Sequence, residues 1–399
     1  MRTTEIRCAQ NIGAQFRALW LIQGRRRIAN TGAEAILASK GIKVVDPKEI
    51  LTPPYHKEKE IVDVPPPPGQ QVVTEPNEQP CYVFTNKFSP IGAVSQVQLL
   101  TNSLVQSSLP DAILGNAGDN TAEEDERVKE AILHAHLLDS HQEKLPKVLD
   151  VINNPGWKFK REYGIPLKRR NKSLTYQLLL LLDQLFPEGT SRHLVEDALT
   201  RVTLTHSDRL MQLNLRAAFI LTAPKPLGAL VSPSEVRSLD GEPLPDIYPL
   251  SPFINCRPRN NYSLSDAYGV GSSRVHPHTI FIHHNEPRMR GKEEHFQALS
   301  LLHGFAHAAS YAKHFGKTAD EDLLAKPVVV QVVHTNGCQY HISAFQLNTL
   351  NLTGPTKNIF WTQPWEALFG SCTYEGTKPA LREYNPRVFS LLKGVYANA

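Results

Sequence analysis

The chain has 399 residues, 41% hydrophobic and 21% charged, which is enough for one large or two ordinary soluble domains. Its net charge of +4 lies at the N-terminus: the first 30 residues hold six arginines and one acid, leaving 37 basic and 38 acidic residues elsewhere. A nearly neutral remainder argues against nucleic-acid binding by overall charge. The five cysteines show no CxxC spacing, which argues against a zinc ribbon and favours reduced thiols.

The first 30 residues have the features of a mitochondrial presequence. No acid occurs between Ile6 and Ala33. One face of a helix would carry Ile12, Phe16, Leu19 and Trp20. A cationic amphipathic helix is typical of mitochondrial import, and Arg17 interrupts the apolar run that a secretory signal needs. We therefore predict a presequence over residues 1–30; a basic arm that stays on the mature protein is the alternative.

Residues 31–80 are rich in proline, including the run Pro65 to Pro68. Proline removes a backbone donor and favours extended conformations, so this segment can bury little of itself. We predict an extended arm over residues 31–80, which is either a disordered linker or a tail that orders along another molecule. One folded domain then spans residues 81–399.

Three helices are predicted in the first half of this domain. Ser89-Pro90 resembles a helix start and precedes Val94, Val97 and Leu104. Thr121 and Glu124 form a capping box. An apolar stripe follows the box at Val128, Ala131, Ile132, Ala135 and Leu138. The third helix carries Leu174, Leu178, Leu181, Leu182 and Leu185.

Strand patterns dominate the second half. Every second residue of 211–221 is apolar, which predicts one strand with Gln212, Asn214 and Arg216 on a wet face. A short strand is predicted over 279–283. A hairpin is predicted at about 328–347, turning at Asn336-Gly337 in the centre of a sheet. Helices are predicted at about 292–314 and from Asn385-Pro386. The fold class is mixed α/β (α+β): a mixed sheet including this antiparallel hairpin, flanked by helices.

Motifs for catalysis are weak. His303 and His307 lie four residues apart on a predicted helix and could share a metal ion, but the HExxH pattern needs Glu where the chain has Gly304. We predict no catalytic, cofactor-binding or metal-binding residues, no cofactor and no small-molecule substrate. A metalloenzyme using His303 and His307 is the alternative. No segment approaches the ~20 apolar residues of a membrane span.

The densest basic and aromatic stretch lies over residues 157–172, with seven positive charges and one acid. Lysine and arginine neutralise phosphate, and interleaved rings can stack on bases. The candidate RNA contacts are Lys158, Lys160, Arg161, Lys168, Arg169, Arg170 and Lys172. A solvated surface loop is the alternative reading.

Several segments together resemble one known family. They are Cys81-Tyr82-Val83-Phe84, Tyr248-Pro249-Leu250-Ser251-Pro252, Pro277-His278-Thr279, Lys326 to Gln331, Phe345 to Thr349, and Lys357-Asn358-Ile359 before Trp361. In this order they resemble the family of mitochondrial large-ribosomal-subunit protein thirty-seven, whose paralogous family is called programmed cell death protein nine.

The resemblance implies a non-catalytic structural constituent of the mitochondrial large ribosomal subunit in the matrix, supporting mitochondrial translation. The implied partners are large-subunit rRNA and other mitochondrial ribosomal proteins, with the paralogous family among the candidates. A transient RNA-binding translation factor is a further alternative.

Overall fold

The structure is a computed structural model that describes residues 32–45, 77–145, 163–270, 275–285, 293–315 and 323–398. The predicted presequence and most of the predicted arm lie outside these residues. The boundaries predicted at residues 30 and 80 therefore stay predictions.

The chain divides into two units, residues 1–72 and 73–399. In the first unit, Ala33–Ser39 form helix α1, none of whose residues is buried. The helix lies in the segment predicted to be extended. The local reason is composition, because the first proline of that segment is Pro47 and residues 33–39 include several strong helix formers.

The second unit, called the body here, alternates helices and strands. Its helices are α2 (Ala93–Thr101), α3 (Asp111–Leu114), α4 (Ala122–Leu133, continued as a π-helical turn His134–Leu138), α5 (Leu167–Leu185), the 3₁₀ turn Pro187–Ser191, α6 (Pro233–Ser238), α7 (Glu293–Phe315) and α8 (Pro386–Ala397). Its strands are β1 (Cys81–Thr85), β2 (Ser103–Gln106), β3 (Glu143–Lys144), β4 (Tyr163–Gly164), β5 (His193–Glu196), β6 (Leu199–His206), β7 (Arg209–Arg216), β8 (Phe219–Ala223), β9 (Pro258–Arg259), β10 (His276–His283), β11 (Val328–Thr335), β12 (Gln339–Leu347), β13 (Asn358–Thr362), β14 (Glu366–Ala367), β15 (Ser371–Glu375) and β16 (Lys378–Arg382).

Two of the four sheets among the described residues organise the body; the others are the two-stranded pairs β3-β4 and β15-β16. The large sheet has the order β2-β13-β12-β11-β10-β8-β5, with β14 paired to β12, and the small sheet has the order β6-β7-β1-β9. Each sheet contains both pairings: β10 and β11 are parallel and β11 and β12 antiparallel, while β1 and β7 are parallel and β6 and β7 antiparallel. The predicted mixed fold class, with its hairpin in a mixed sheet, is confirmed.

Helix α7 lies between the two sheets. It contacts β10, β11 and β12 of the large sheet, β6 and β7 of the small sheet, and α2. Phe305 is fully buried in a core that also contains Met211 of the small sheet and Phe345 of the large sheet. Because α7 has protein on both sides, its buried residues go all the way round instead of forming one stripe.

The opposite face of the large sheet is covered by α4, α5 and α8. Leu174, Leu178 and Leu182 form the buried stripe of α5 and pack in a second core with Phe389 of α8. The body is therefore layered as small sheet, central helix, large sheet and outer helices. No helix among the described residues is long and apolar enough to cross a membrane.

Local signals placed several helix ends correctly. Thr121 accepts from the Glu124 backbone N–H, and the Glu124 carboxylate accepts from the Thr121 N–H, so the predicted capping box is present. Asn385 caps α8, with Pro386 in its first turn. The hairpin strands occupy central positions in the large sheet, as predicted.

Three local predictions were wrong. Residues 211–221 are not one strand: the chain leaves the small sheet after Arg216 and enters the large sheet at Phe219. Gln212 does not face water but is buried, donating to Thr203 Oγ1 over 2.9 Å. The helix after Ser89-Pro90 begins only at Ala93, and Leu104 lies in strand β2.

The hairpin turn also differs from the two-residue form. Its loop holds four residues, 336–339, between the paired Thr335 and Tyr340, and of Asn336 and Gly337 only the glycine has positive φ, at 95°. Asn336 Oδ1 instead accepts from the backbone N–H groups of Cys338 and Gln339 over 3.0 and 2.8 Å. The asparagine acts through its side chain, which closes a wider turn.

Candidate nucleic-acid interface

The N-terminal end of α5 carries the described part of the predicted basic stretch. Lys158, Lys160 and Arg161 lie outside the described residues, whereas Lys168, Arg169, Arg170 and Lys172 occupy the first two turns of α5. The first turn holds no acid. Cations at this end oppose the helix dipole, which favours negative charge there. A cationic first turn therefore gains nothing for the helix itself, which suits a role toward a partner.

Polar contacts fix this helix end against the large sheet. Asn171 is buried and its Nδ2 donates to Asn285 Oδ1 over 2.9 Å and to the His284 carbonyl over 3.3 Å. One turn further, the Thr175 hydroxyl and His283 Nε2 are 2.9 Å apart. The start of α5 is thereby held at the carboxyl end of β10.

The four basic side chains differ in surroundings. Arg169 forms a bidentate pair with Asp139, its Nη2 donating to Oδ1 over 3.0 Å and its Nε donating to Oδ2. That hydrogen bonding lowers the pKa of the Asp139 carboxyl. Arg170 is half-buried, and after burial itself its charge is the next cause lowering the pKa of His136, to about 4. These two arginines partly serve the body's own structure.

The two lysines, Lys168 and Lys172, are more accessible to a partner than the two arginines. Lys168 is exposed and forms no ion pair within the described part of the chain. Lys172 Nζ lies 2.5 Å from Glu196 Oε2, but both side chains are about half exposed (47% and 48%). An exposed pair of this kind contributes only about 0–1 kcal/mol, so a phosphate can displace the carboxylate cheaply.

Both lysines line a cleft of about 860 Å³ whose other walls come from the two sheets and from α7. Six basic side chains and two acids line it. The basic residues are Lys87, Lys168, Lys172, Arg201, Arg216 and Arg259, and the acids are Glu196 and Asp197. The lining is therefore strongly cationic, in contrast to the nearly neutral chain after residue 30.

Strand ends place the cations that face α5. Asn86 follows β1, and its side chain exchanges two hydrogen bonds with the backbone of Arg216 at the end of β7, each 2.7 Å long. Lys87 comes next in the chain and is exposed, as is Arg216. Arg201 of β6 is half-buried, and its Nη1 donates to Ser263 Oγ over 2.9 Å.

Lys87, Arg201 and Arg216 were not predicted as contacts. They stand far apart in the chain and come together only because β1, β6 and β7 pair in the small sheet. No short window of sequence contains this cluster, so it could not be predicted from local charge.

The histidines considered as metal ligands are core residues. His303 and His307 are 1% and 0% exposed, with ring centroids 5.7 Å apart. His307 Nδ1 donates to the His303 carbonyl over 2.8 Å, and burial lowers the His307 pKa to about 4. The described residues hold no group of three His, Cys, Asp or Glu side chains suited to a metal ion, so the metalloenzyme alternative finds no support there.

Packing explains why glycine occupies position 304, where the HExxH motif needs glutamate. A Cβ at this position would lie 3.0 Å from the Phe345 Cβ, closer than ordinary contact. Helix α7 can approach the centre of the large sheet because this residue has no side chain.

Comparison with known proteins identifies several that are similar in sequence to this chain. No family model matches the chain. The rat protein named large ribosomal subunit protein mL37 is 29% identical over 304 residues, covering 73% of this chain and 67% of that protein. Its mouse counterpart is 28% identical over the same length, and the chicken protein 25% over 329 residues, covering 80% of this chain.

These relatives are all proteins of the large ribosomal subunit. The chain is a homologue of these mL37 proteins, which confirms the resemblance predicted from its sequence.

Proposed function

We propose that this protein is a structural constituent of the mitochondrial large ribosomal subunit, held by rRNA and by neighbouring ribosomal proteins, and that it supports translation without catalysing a reaction. The observation that carries the proposal is homology to mL37 proteins over about three quarters of the chain. The protein is accordingly localised in mitochondria.

Charge distribution suggests how it is held. Outside the first 30 residues the chain is nearly neutral, so most of its surface suits protein neighbours better than RNA. We include the paralogous family among those neighbours. The proposed rRNA contacts are Lys158, Lys160, Arg161, Lys168, Arg169, Arg170 and Lys172. The exposure of Lys168 and the weak exposed pair of Lys172 support this assignment.

The proposed chain organisation follows from the same role. Residues 1–30 direct import and residues 31–80 reach over neighbouring molecules, while residues 81–399 form the docked body. A long proline-rich arm next to a folded body suits an assembly in which ordering costs are met by contacts with neighbours.

Sedimentation of mitochondrial lysate tests the proposal. We expect the endogenous protein to co-migrate with the large subunit on a sucrose gradient, to stay there after a high-salt wash, and its depletion to reduce assembled large subunits. Loss from the subunit in high salt would instead favour a transient translation factor, because phosphate contacts alone are strongly salt-dependent. Recovery only as a free species would contradict the proposal.

A charge variant tests the RNA contacts. In cells, UV crosslinking of the protein to rRNA should fall for K158Q/K160Q/R161Q/K168Q/K172Q, which leaves the two partly structural arginines in place. The control K225Q/R237Q/K378Q removes three exposed cations that are neither in α5 nor in the lining of the cleft and should crosslink like the wild type. Equal crosslinking by both variants would exclude this surface.

A further inference from the structure

The cleft lies at the carboxyl ends of two pairs of parallel strands. In the small sheet, β1 and β7 run parallel; in the large sheet, β10 and β11 do. The cleft is lined by residues at or just past the carboxyl ends of all four, including Thr85, Arg216, His283 and His334. The crevice outside the carboxyl ends of parallel strands is the usual position of ligand sites in such sheets. Its volume of about 860 Å³ also falls within the range of about 300–1,000 Å³ typical of ligand pockets.

Charge and burial divide the lining into a rim and a floor. The rim consists of exposed cations on both sides: Lys168 and Lys172 from α5, and Lys87, Arg216 and Arg259 from the small sheet. The floor is formed by buried neutral groups, among them Phe219, Ile282 and His303, which are 1%, 5% and 1% exposed. A ligand that fits both levels has anionic groups at one end and a neutral, partly apolar body at the other.

His303 supplies an unused hydrogen-bonding group at the floor. Its side chain is almost wholly buried, and its Nδ1 has no hydrogen-bond partner among the described residues. Burial, and then the neighbouring His307, hold the pKa of His303 well below its ordinary value, so the ring is neutral at physiological pH. His303 Nδ1 is one of twelve buried side-chain polar atoms without a partner among the described residues, and a water or a ligand group at the floor of the cleft would satisfy it.

We propose that the cleft receives an unpaired strand of RNA, with its phosphates at the cationic rim and a base directed to the floor beside His303. This deepens the proposed function and rests on it for the choice of RNA. Double-stranded RNA is read across its wide minor groove and does not enter a cleft of this size. An acidic peptide with an aromatic side chain would match the same two levels, and RNA is favoured over it because the homologues are ribosomal proteins.

Binding of fluorescent oligonucleotides to the purified full chain tests the inference. The probes are a single-stranded RNA of ten nucleotides, the same sequence as a duplex, and free AMP. The rim variant K87Q/R216Q/R259Q removes three exposed cations without touching α5, and K225Q/R237Q/K378Q is its matched control. We expect the rim variant to bind the single strand about tenfold more weakly and its salt slope to drop by about 2, at roughly 0.7 per phosphate contact on a single strand.

A second variant, the floor variant, distinguishes insertion of a base into the cleft from attraction of the RNA to the cationic rim alone. Ala218→Trp adds bulk at a partly exposed lining residue and removes no charge. We expect it to weaken strand binding about tenfold while the salt slope stays unchanged, since the phosphate contacts are the same. If thermal unfolding shows that Ala218→Trp does not fold, the smaller change Ala218→Phe replaces it.

Three outcomes overturn the inference: equal binding of duplex and single strand, binding of AMP without the strand, or wild-type binding by both the rim and the floor variants. If the protein co-migrates with the large subunit and any of these is observed, the cleft inference fails and the proposed function stands. If the protein does not co-migrate, the proposed function fails whatever the oligonucleotides show.

Discussion

The two long helices of the body meet the large sheet from opposite faces and differ in every respect that matters for function. Helix α5 buries one leucine stripe and leaves Tyr176 and Leu180 47% and 43% exposed, whereas α7 is enclosed between two sheets. The polar residues of α5 lie mainly at its exposed start, whereas the polar residues in the middle of α7, including His303 and His307, lie in the core. The histidine pair of the buried helix is therefore held in the core and is not a metal site, although His303 also lines the cleft, and the lysine pair at the exposed start of α5 is the feature that faces a partner.

The largest expected effect comes from truncating the enclosed helix. Phe305→Ala removes a fully buried ring that packs edge-on against Phe345, at 6.1 Å between centroids. We expect the free energy of unfolding to fall by about 3–5 kcal/mol, measured by urea denaturation. Tyr176→Ala on the outer face of α5 should change it by less than about 0.5 kcal/mol. Similar losses in the free energy of unfolding for the two variants would contradict the difference in burial between α7 and the outer face of α5.

The second-largest expected effect is a loss of stability in acid, caused by the buried histidines. Burial is the main cause lowering the pKa of His307 to about 4, so below the ordinary value of 6.5 the unfolded chain binds the proton more readily than the folded one. Stability is then fully present above pH 6.5 and is lost as pH falls toward 4, at about 1.4 kcal/mol per pH unit for each such histidine. Burial lowers the pKa of His278 and His341 to about 3, so they act in the same direction.

Urea midpoints between pH 7 and pH 4 measure this slope. His307→Gln should reduce it by the share of one histidine, and the exposed His193→Gln serves as the control. A flat stability profile down to pH 4 would contradict the burial of these rings.

A smaller effect tests the approach of α7 to the sheet. Gly304→Ala places a Cβ 3.0 Å from the Phe345 Cβ, and neither backbone can move freely in the centre of the body. Overpacking of about 1–3 kcal/mol is partly offset by the better helix propensity of alanine, about 1 kcal/mol, so a net loss of about 1 kcal/mol is expected. Thermal unfolding measures it, with Gly118→Ala, which meets nothing within 4 Å, as the control. A gain in stability would show that the contact is loose.

The smallest effect has the opposite sign. Lys168→Glu replaces an exposed cation in the first turn of α5 by an acid, which the helix dipole favours by about 0.3–1 kcal/mol. We therefore expect the variant to be slightly more stable and to bind RNA less well, whereas Lys225→Glu, outside any helix, should change neither. A destabilised Lys168→Glu would mean that the lysine has a structural partner.

The sequence predicted some features of the fold correctly and could not predict others. Signals confined to a few residues were reliable: the capping box at Thr121, the cap at Asn385 and the central hairpin were all predicted from local chemistry and burial. Where residues 211–221 leave one sheet for the other could not be predicted, because apolar alternation continues through Ala217 while the pairing partners change. The cleft was out of reach for the same reason: Lys87 and Arg216 become neighbours only through the parallel pairing of β1 with β7.

The position of α7 between the two sheets also determines how the body unfolds. A helix that supplies one hydrophobic face to each sheet cannot be lost from one without uncovering the other, so neither sheet has a complete core by itself. Melting followed at the small sheet and at the outer helices should give superimposable curves. The two sheets and this helix therefore form one cooperative unit.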